Sequence, residues 1–128
     1  MNVWVNSILS VLFYPQRDIP NKADFVARFS DFAKVFDGDP MLLPISNAPP
    51  HVPRIVLKSR DGSYTCEVAL DRLNFQYVDT QNRKRDLGVI YPEYRQILDR
   101  VVAGALSGIA SPVNRLGFVT RHIVETGE

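Results

Sequence analysis

Residues able to carry out nucleophilic or acid–base chemistry are few in this 128-residue sequence, which has two histidines and one cysteine. His51 lies among prolines, and His122 lies near the end of the sequence. Neither has a cysteine, serine or carboxylate at a spacing typical of a catalytic triad. Cys66 falls in a predicted strand with its thiol towards the core, where a thiol is inert. The sequence therefore predicts no catalytic residue and leans away from an enzyme.

Metal and cofactor sites are not indicated either. The segment Asp37-Gly38-Asp39 lacks the later ligands of a calcium loop, and no histidine or cysteine spacing suits zinc. No glycine-rich phosphate-binding loop is present. We therefore expect no metal and no cofactor.

The basic cluster Arg83, Lys84 and Arg85 is the remaining polar candidate, because clustered cations can contact nucleic-acid phosphates. The formal net charge of +1 gives no bulk attraction to nucleic acid. Acidic residues at Asp79 and Asp86 dilute the cluster. Nucleic-acid binding through this loop is therefore the alternative function.

Residues 54–78 predict a three-stranded antiparallel meander that organises the rest of the fold. The dipeptide Asp61-Gly62 is typical of a type I′ hairpin turn, which requires positive φ at both residues. It predicts two pairs on one face, Ile55 with Val68 and Leu57 with Cys66. A second tight turn at Asp71-Arg72 predicts three more pairs, Leu70 with Leu73, Val68 with Phe75 and Cys66 with Tyr77. Both turns place apolar side chains on the same face, which we expect to be buried.

The flanking segments predict two further strands, two helices and a short edge strand. Residues 2–14 form an apolar first strand, with Val3, Val5, Leu9, Val11 and Phe13 on one side and Trp4, Ile8 and Leu12 on the other. An apolar stripe predicts a helix between a cap at Asn21 and a C′ residue at Gly38. Residues 41–46 indicate a short edge strand. Pro92 indicates the start of a second helix, which ends at Gly108 and Pro112. Residues 113–124 indicate the last strand.

Without the short edge strand, the predicted order is β-α-β-β-β-α-β in a single domain over residues 1–128, with an apolar fraction of 45%. One apolar stripe per helix and one apolar meander face predict an α+β two-layer sandwich, with both helices on one face of a mainly antiparallel sheet.

The opposite sheet face is the predicted interaction surface, because the first strand is apolar on both sides and no catalytic set is present. Its candidate partner-binding residues are Trp4, Arg54, Lys58, Glu67, Gln76, Val119 and Arg121. We expect the partner to be a second copy, giving a homodimer, or another protein.

The sequence has no stretch of about 20 apolar residues to span a membrane and no secretory signal at its start. Its single cysteine suits a reducing compartment. We therefore expect a cytoplasmic protein without a membrane partner.

Four segments together resemble the N-terminal half of a sporadically distributed family of uncharacterised bacterial proteins. They are VPRIVLKSRDG at residues 52–62, DRLNF at 71–75, YPEY at 91–94 and NRLGFV at 114–119. Family members are longer and carry a second domain, so the resemblance implies a stand-alone version. The family has no established activity, and its patchy distribution implies an accessory or conflict-related role on mobile elements.

Overall fold

The computed structural model describes residues 2–16, 22–32, 34–43, 47–109 and 115–125. Side chains are described for the residues of these ranges that lie between 4 and 104, except residues 28 and 30–32. The elements are β1 (Asn2–Phe13), α1 (Lys22–Phe32), β2 (Met41–Leu42), β3 (Ile55–Lys58), β4 (Tyr64–Val68), β5 (Arg72–Val78), α2 (Leu87–Ile109) and β6 (Arg115–Glu125). The α+β class is confirmed, and the short edge strand is present as β2. The predicted cap at Asn21, edge positions 44–46, and positions 112–114 lie outside the described residues.

The strands form one antiparallel sheet in the order β2-β3-β4-β5-β1-β6. The first strand therefore lies inside the sheet, between β5 and β6. An internal position agrees with the apolar character of both of its faces.

Both helices pack on one face of this sheet, as predicted. Tyr94 of α2 stacks on Phe75 of β5 with 4.9 Å between ring centroids, and Phe36 meets the same ring edge-on at 6.0 Å. Tyr94 is also fixed by a 2.7 Å hydrogen bond between its hydroxyl and that of Ser10 in β1. The buried side chains of α1 and α2 in this core are Phe25, Phe29, Ile90, Tyr94, Leu98 and Val101.

The first hairpin has the predicted register but a different turn. The pairs Ile55 with Val68 and Leu57 with Cys66 are confirmed. Only Gly62 of the predicted turn dipeptide has positive φ, at 75°, and its N–H donates to Ser59 O at 3.0 Å. The ladder closes at Ser59, whose N–H donates to Tyr64 O. A loop that is longer by one residue on each side keeps the same strand pairing, so the type I′ prediction is wrong and the register is right.

The second hairpin is shifted by two residues from the prediction. The observed pairs are Tyr64 with Tyr77, Cys66 with Phe75 and Val68 with Leu73. The N–H of Ala69 donates to Arg72 O at 2.9 Å, so Leu70 and Asp71 form the turn. The Tyr14 hydroxyl donates to the carbonyls of Ala69 and Arg72 at 2.6 and 2.8 Å, which holds the turn from β1. A two-residue shift preserves the faces of all side chains, which is why the buried face was predicted correctly from a wrong pairing.

A β-bulge in β1 changes the predicted sides of that strand. The register with β6 shifts between Val5 and Ser7, leaving Asn6 without a Cα partner in β6. Val5 is therefore buried on the same face as Ile8 and Leu12. The prediction that Val5 shares a side with Leu9 is wrong, because a bulge inserts one residue into the alternation.

The second helix begins earlier than predicted, because Asp86 caps it. The carboxylate of Asp86 accepts a 2.9 Å hydrogen bond from the N–H of Val89. This is the bond an N-cap side chain supplies to a free N–H of the first turn. Pro92 consequently lies inside α2 rather than at its start.

Gly38 is not the C′ residue of α1, which ends at Phe32. Its N–H instead donates to Lys58 O at 2.9 Å, and a Cβ at this position would lie 2.8 Å from that oxygen. The absence of a side chain therefore allows the chain after α1 to approach β3 closely.

Arg54 is buried, with 5% exposure. The prediction that it lies on the exposed face of the sheet is therefore wrong. Its guanidinium donates to the carbonyls of Val52, Pro49 and Ala48 at 2.6, 2.7 and 2.9 Å. These bonds satisfy carbonyl groups of a proline-rich loop that has few N–H donors of its own. Arg54 therefore anchors residues 48–52 to the start of β3.

We expect Arg54→Met to lower the free energy of unfolding by about 2–4 kcal/mol, because it removes charge-assisted hydrogen bonds and leaves partly buried carbonyls unpaired. Urea denaturation measures this loss. Arg60→Met is the control, since the Arg60 side chain is 81% exposed and its ion pair with Asp37 contributes less than about 1 kcal/mol. Equal losses in the two variants would contradict the anchoring role of Arg54.

Candidate functional site

The sheet face opposite the helices, called here the open face, carries most of the predicted partner-binding residues. Its side chains are Trp4, Ser7, Leu9, Val11 and Phe13 of β1, Arg72, Asn74, Gln76 and Val78 of β5, Thr65 and Glu67 of β4, and Val56 and Lys58 of β3. Trp4, Lys58, Glu67 and Gln76 are thus brought to one face, whereas Arg54 is not. In β6, Val119 lies opposite Leu9 and Arg121 opposite Ser7; their side chains lie outside the described ones.

Four of these side chains form an apolar band along β1, namely Trp4, Leu9, Val11 and Phe13. All four are half-buried, although neither helix lies on this face. The open face of an antiparallel sheet usually carries polar residues, as β5 does opposite this band with Asn74 and Gln76. The apolar band is therefore a departure from the pattern of a solvated sheet face.

Cations lie over the aromatic rings at both ends of the apolar band. The Lys84 ammonium is 5.0 Å from the centre of the Trp4 ring, and the Arg72 guanidinium is 5.1 Å from the centre of the Phe13 ring. Each contact contributes about 0.5–1 kcal/mol at an exposed site. Leu9 and Val11, between them, form the apolar centre of the band.

The predicted basic cluster does not form one patch. Asp79 accepts hydrogen bonds from the N–H groups of Arg83 and Lys84 at 2.9 and 3.0 Å, and Lys84 has a φ of 53°. This conformation sends Lys84 to Trp4 on the open face. Arg83 and Arg85 instead line a cleft at the other side of the loop.

The cleft, called here the polar cleft, has a volume of about 390 Å³. Its lining residues are Lys34, Val35, Asp37, Ser59, Arg60, Asp61, Ser63, Tyr64, Arg83, Arg85 and Glu93. At its wall the Tyr64 hydroxyl donates to Glu93 Oε2 at 2.6 Å, and Arg85 Nη2 donates to the same oxygen at 3.1 Å. The guanidinium of Arg85 also lies 5.6 Å from the centre of the Tyr77 ring.

This network fixes the charges of its members. Partial burial alone would raise the pKa of Glu93, but the hydrogen bonds from Tyr64 and Arg85 lower it. Burial alone would lower the pKa of Arg85, but hydrogen bonds to Tyr77 and Glu93 raise it. Burial raises the pKa of Tyr64, and the hydrogen bond to Glu93 raises it further. The wall is therefore an ion pair braced by a neutral tyrosine, which suits holding geometry better than transferring protons.

Cys66 and His122 are not placed to act as a nucleophile and a base. Cys66 is fully buried, and burial raises the pKa of its thiol. Two strands separate β4 from β6, so the two residues lie about 14 Å or more apart at the usual strand spacing. His51 is exposed in the proline-rich loop.

The described residues contain no group of three or more histidine, cysteine, aspartate and glutamate side chains placed to hold a metal ion. Of the helices within the described ranges, none is long and apolar enough to cross a membrane.

Comparison with protein-family models, with curated proteins and with solved structures finds no match to this chain. The resemblance to a bacterial family therefore stays a prediction.

The polar cleft was not predicted from the sequence. Its wall depends on Glu93, which the sequence interpretation put beside the first residue of α2, whereas the helix begins at Leu87. Asp86 followed by an apolar helical pattern is a cap signal that would have moved the helix start.

We expect Asp61→Asn to destabilise the protein near neutral pH and to have little effect in strong acid. Hydrogen bonds from the Ser63 hydroxyl, the Ser63 N–H and the Ser59 hydroxyl lower the pKa of Asp61 to about 2. The unfolded value is about 3.9, so the carboxylate stabilises the fold above that pH. This stabilisation is lost as the pH falls through about 2.

Urea denaturation of wild type and variant across this pH range measures the effect. Asp39→Asn controls for removal of a negative charge outside the turn. A difference between wild type and Asp61→Asn that stays the same in strong acid would show that the carboxylate charge is not what holds the turn.

Proposed function

We propose that this chain is a non-catalytic protein-interaction module that forms a homodimer through the open face of its sheet. The observation that carries the proposal is the apolar band of Trp4, Leu9, Val11 and Phe13 on a face that neither helix covers. The polar Ser7 lies between Trp4 and Leu9 on this face, whereas Leu9, Val11 and Phe13 follow one another without interruption. An apolar stretch of this kind is typical of a surface that packs against a partner. Burial of this band supplies the association free energy.

A second copy fits this face because the charges around the band are of both signs. Lys58 and Arg72 are cationic and Glu67 is anionic, so two copies related by a two-fold axis can meet without a patch of like charge. The formal net charge of +1 per chain also gives little repulsion between copies. Two such sheets meeting face to face form a sandwich with one helical layer outside each sheet.

The proposal includes a cytoplasmic location and an accessory role. The single cysteine, Cys66, is a buried thiol, which suits a reducing compartment. The accessory or conflict-related role follows only from the resemblance to a patchily distributed bacterial family.

Nucleic-acid binding through Arg83, Lys84 and Arg85 is the less favoured alternative. The three side chains diverge, with Lys84 on Trp4 and the two arginines at the polar cleft. A phosphate backbone needs cations aligned along one surface. A salt titration with short single-stranded and duplex oligonucleotides tests this alternative, which requires binding at low salt.

We expect the wild-type chain to be a dimer and Val11→Glu to be a folded monomer, because a charge at the centre of the apolar band would be buried unpaired in the interface. The dimer dissociation constant should rise by at least about tenfold. Light scattering over a concentration series measures the oligomeric state, and circular dichroism checks the fold.

Val89→Glu is the matched control, since Val89 is 57% exposed in the first turn of α2, beside a second apolar patch formed by Leu87, Tyr91 and Pro92. It introduces the same substitution away from the open face, so the dimer should persist. A strictly monomeric wild type, or dissociation by Val89→Glu rather than by Val11→Glu, would overturn the proposal.

A further inference from the structure

The polar cleft holds more cationic than anionic groups, and the two kinds differ in how they are used. Its cations are Lys34, Arg60, Arg83 and Arg85, and its carboxylates are Asp37, Asp61 and Glu93. Whether such a cleft attracts an anion depends on which of these charges are already paired within the protein.

All three carboxylates are engaged by the protein itself. Asp61 Oδ1 accepts hydrogen bonds from both neighbouring serine hydroxyls at 2.7 Å. Glu93 accepts from Tyr64 and from both Nη atoms of Arg85. Asp37 Oδ1 accepts from the N–H of Arg60 at 2.8 Å. The negative charges of the cleft therefore stabilise its walls.

The cations are less fully engaged. Among the residues that the structure describes, the side chains of Lys34 and Arg83 have neither a hydrogen bond nor an ion pair. Arg60 donates from Nε to the Asp37 carbonyl at 3.0 Å, while its side chain remains 81% exposed. Positive charge is thus left over at the mouth of the cleft.

Arg85 adds a separate indication. Its Nε is buried without a hydrogen-bond partner among the described residues. A buried cationic N–H without an acceptor is costly, and native proteins rarely retain one. The unpaired Nε therefore leaves a donor of the cleft wall without an acceptor.

We propose that the polar cleft binds the phosphoryl group of a small phosphate monoester through Lys34, Arg60 and Arg83. The four cations and three carboxylates of the cleft leave a net positive charge, and arginine guanidinium groups match phosphate oxygens in bidentate geometry. The volume of about 390 Å³ admits a small organic phosphate and lies near the lower end of the usual range for ligand sites. This site is separate from the open face and does not depend on dimerisation.

The test uses inorganic phosphate, adenosine 5′-monophosphate and adenosine as probes at low ionic strength. Calorimetry measures their affinities, and amide chemical shifts locate the site. We expect phosphate and the nucleotide, but not adenosine, to shift the amides of residues 59–64. Tighter binding of the nucleotide identifies an organic monoester as the ligand, whereas equal affinities restrict the site to the free anion and overturn the monoester assignment.

Arg83→Gln and Lys34→Gln should each weaken phosphate binding by about tenfold, since each removes a charged hydrogen-bond donor. Lys84→Gln is the matched control, because it removes the same charge from the neighbouring loop residue that lies on Trp4 instead of in the cleft. Circular dichroism checks that all three variants are folded. Shifts absent from residues 59–64, or equal losses in Arg83→Gln and Lys84→Gln, would overturn the site.

Discussion

The ring of Phe75 is the contact on which the two layers of this fold depend. Within the sheet it stacks on Tyr64, with 5.8 Å between ring centroids. On the side of the helices it contacts the rings of Phe36 and Tyr94, whose centroids are 6.0 Å and 4.9 Å away. The centre of the meander is thereby tied to α2 and to the segment that follows α1. The hydroxyl of Tyr94 adds a hydrogen bond to the carbonyl of Phe75 at 3.2 Å, so the same pair joins apolar packing with a satisfied polar group. Because all of these contacts lie on one face, the opposite face is left to other partners.

The two-residue period of the strands explains how much of the fold could be predicted from the sequence. Alternation assigns each side chain of β4 and β5 to a face, and this assignment survives a two-residue shift. It cannot tell whether Val68 lies opposite Phe75, as predicted, or opposite Leu73, as observed. Tyr14 stabilises the observed register, since its hydroxyl donates to two carbonyls of the turn from a distant part of the sequence. The bulge at Asn6 and the capping of α2 by Asp86 likewise depend on local hydrogen bonds, which a hydrophobic pattern does not record.

The candidate sites likewise contain residues that alternation places correctly and residues that it cannot place. The open-face positions of Lys58, Glu67 and Gln76 could be predicted because they depend on alternation alone, whereas Trp4 reaches this face only because of the bulge at Asn6. Arg54 could not be placed this way, because it lies one residue before β3, where the carbonyls of the proline-rich loop compete with solvent for its guanidinium. The polar cleft also could not be predicted from the sequence, since it is formed by residues up to 59 positions apart along the chain, from Lys34 to Glu93. Only the packing of both helices on one sheet face brings them together.

The loop between β5 and α2 connects the open face with the polar cleft. Asn82 and Lys84 have φ values of 52° and 53°, which side-chain-bearing residues seldom adopt. Asp79 offsets this cost by accepting hydrogen bonds from two N–H groups of the loop, and the carbonyl of Arg85 accepts another from Val5 of β1 at 2.8 Å. The backbone reversal at Lys84 sends that side chain to one face while its neighbours line the cleft.

Three consecutive cations, which in an extended loop would form one basic patch, therefore contribute to two surfaces of different chemistry. One surface is apolar with cations stacked at its ends, and the other is polar with cations left unpaired. This division favours a protein contact at the first surface and a small anion at the second.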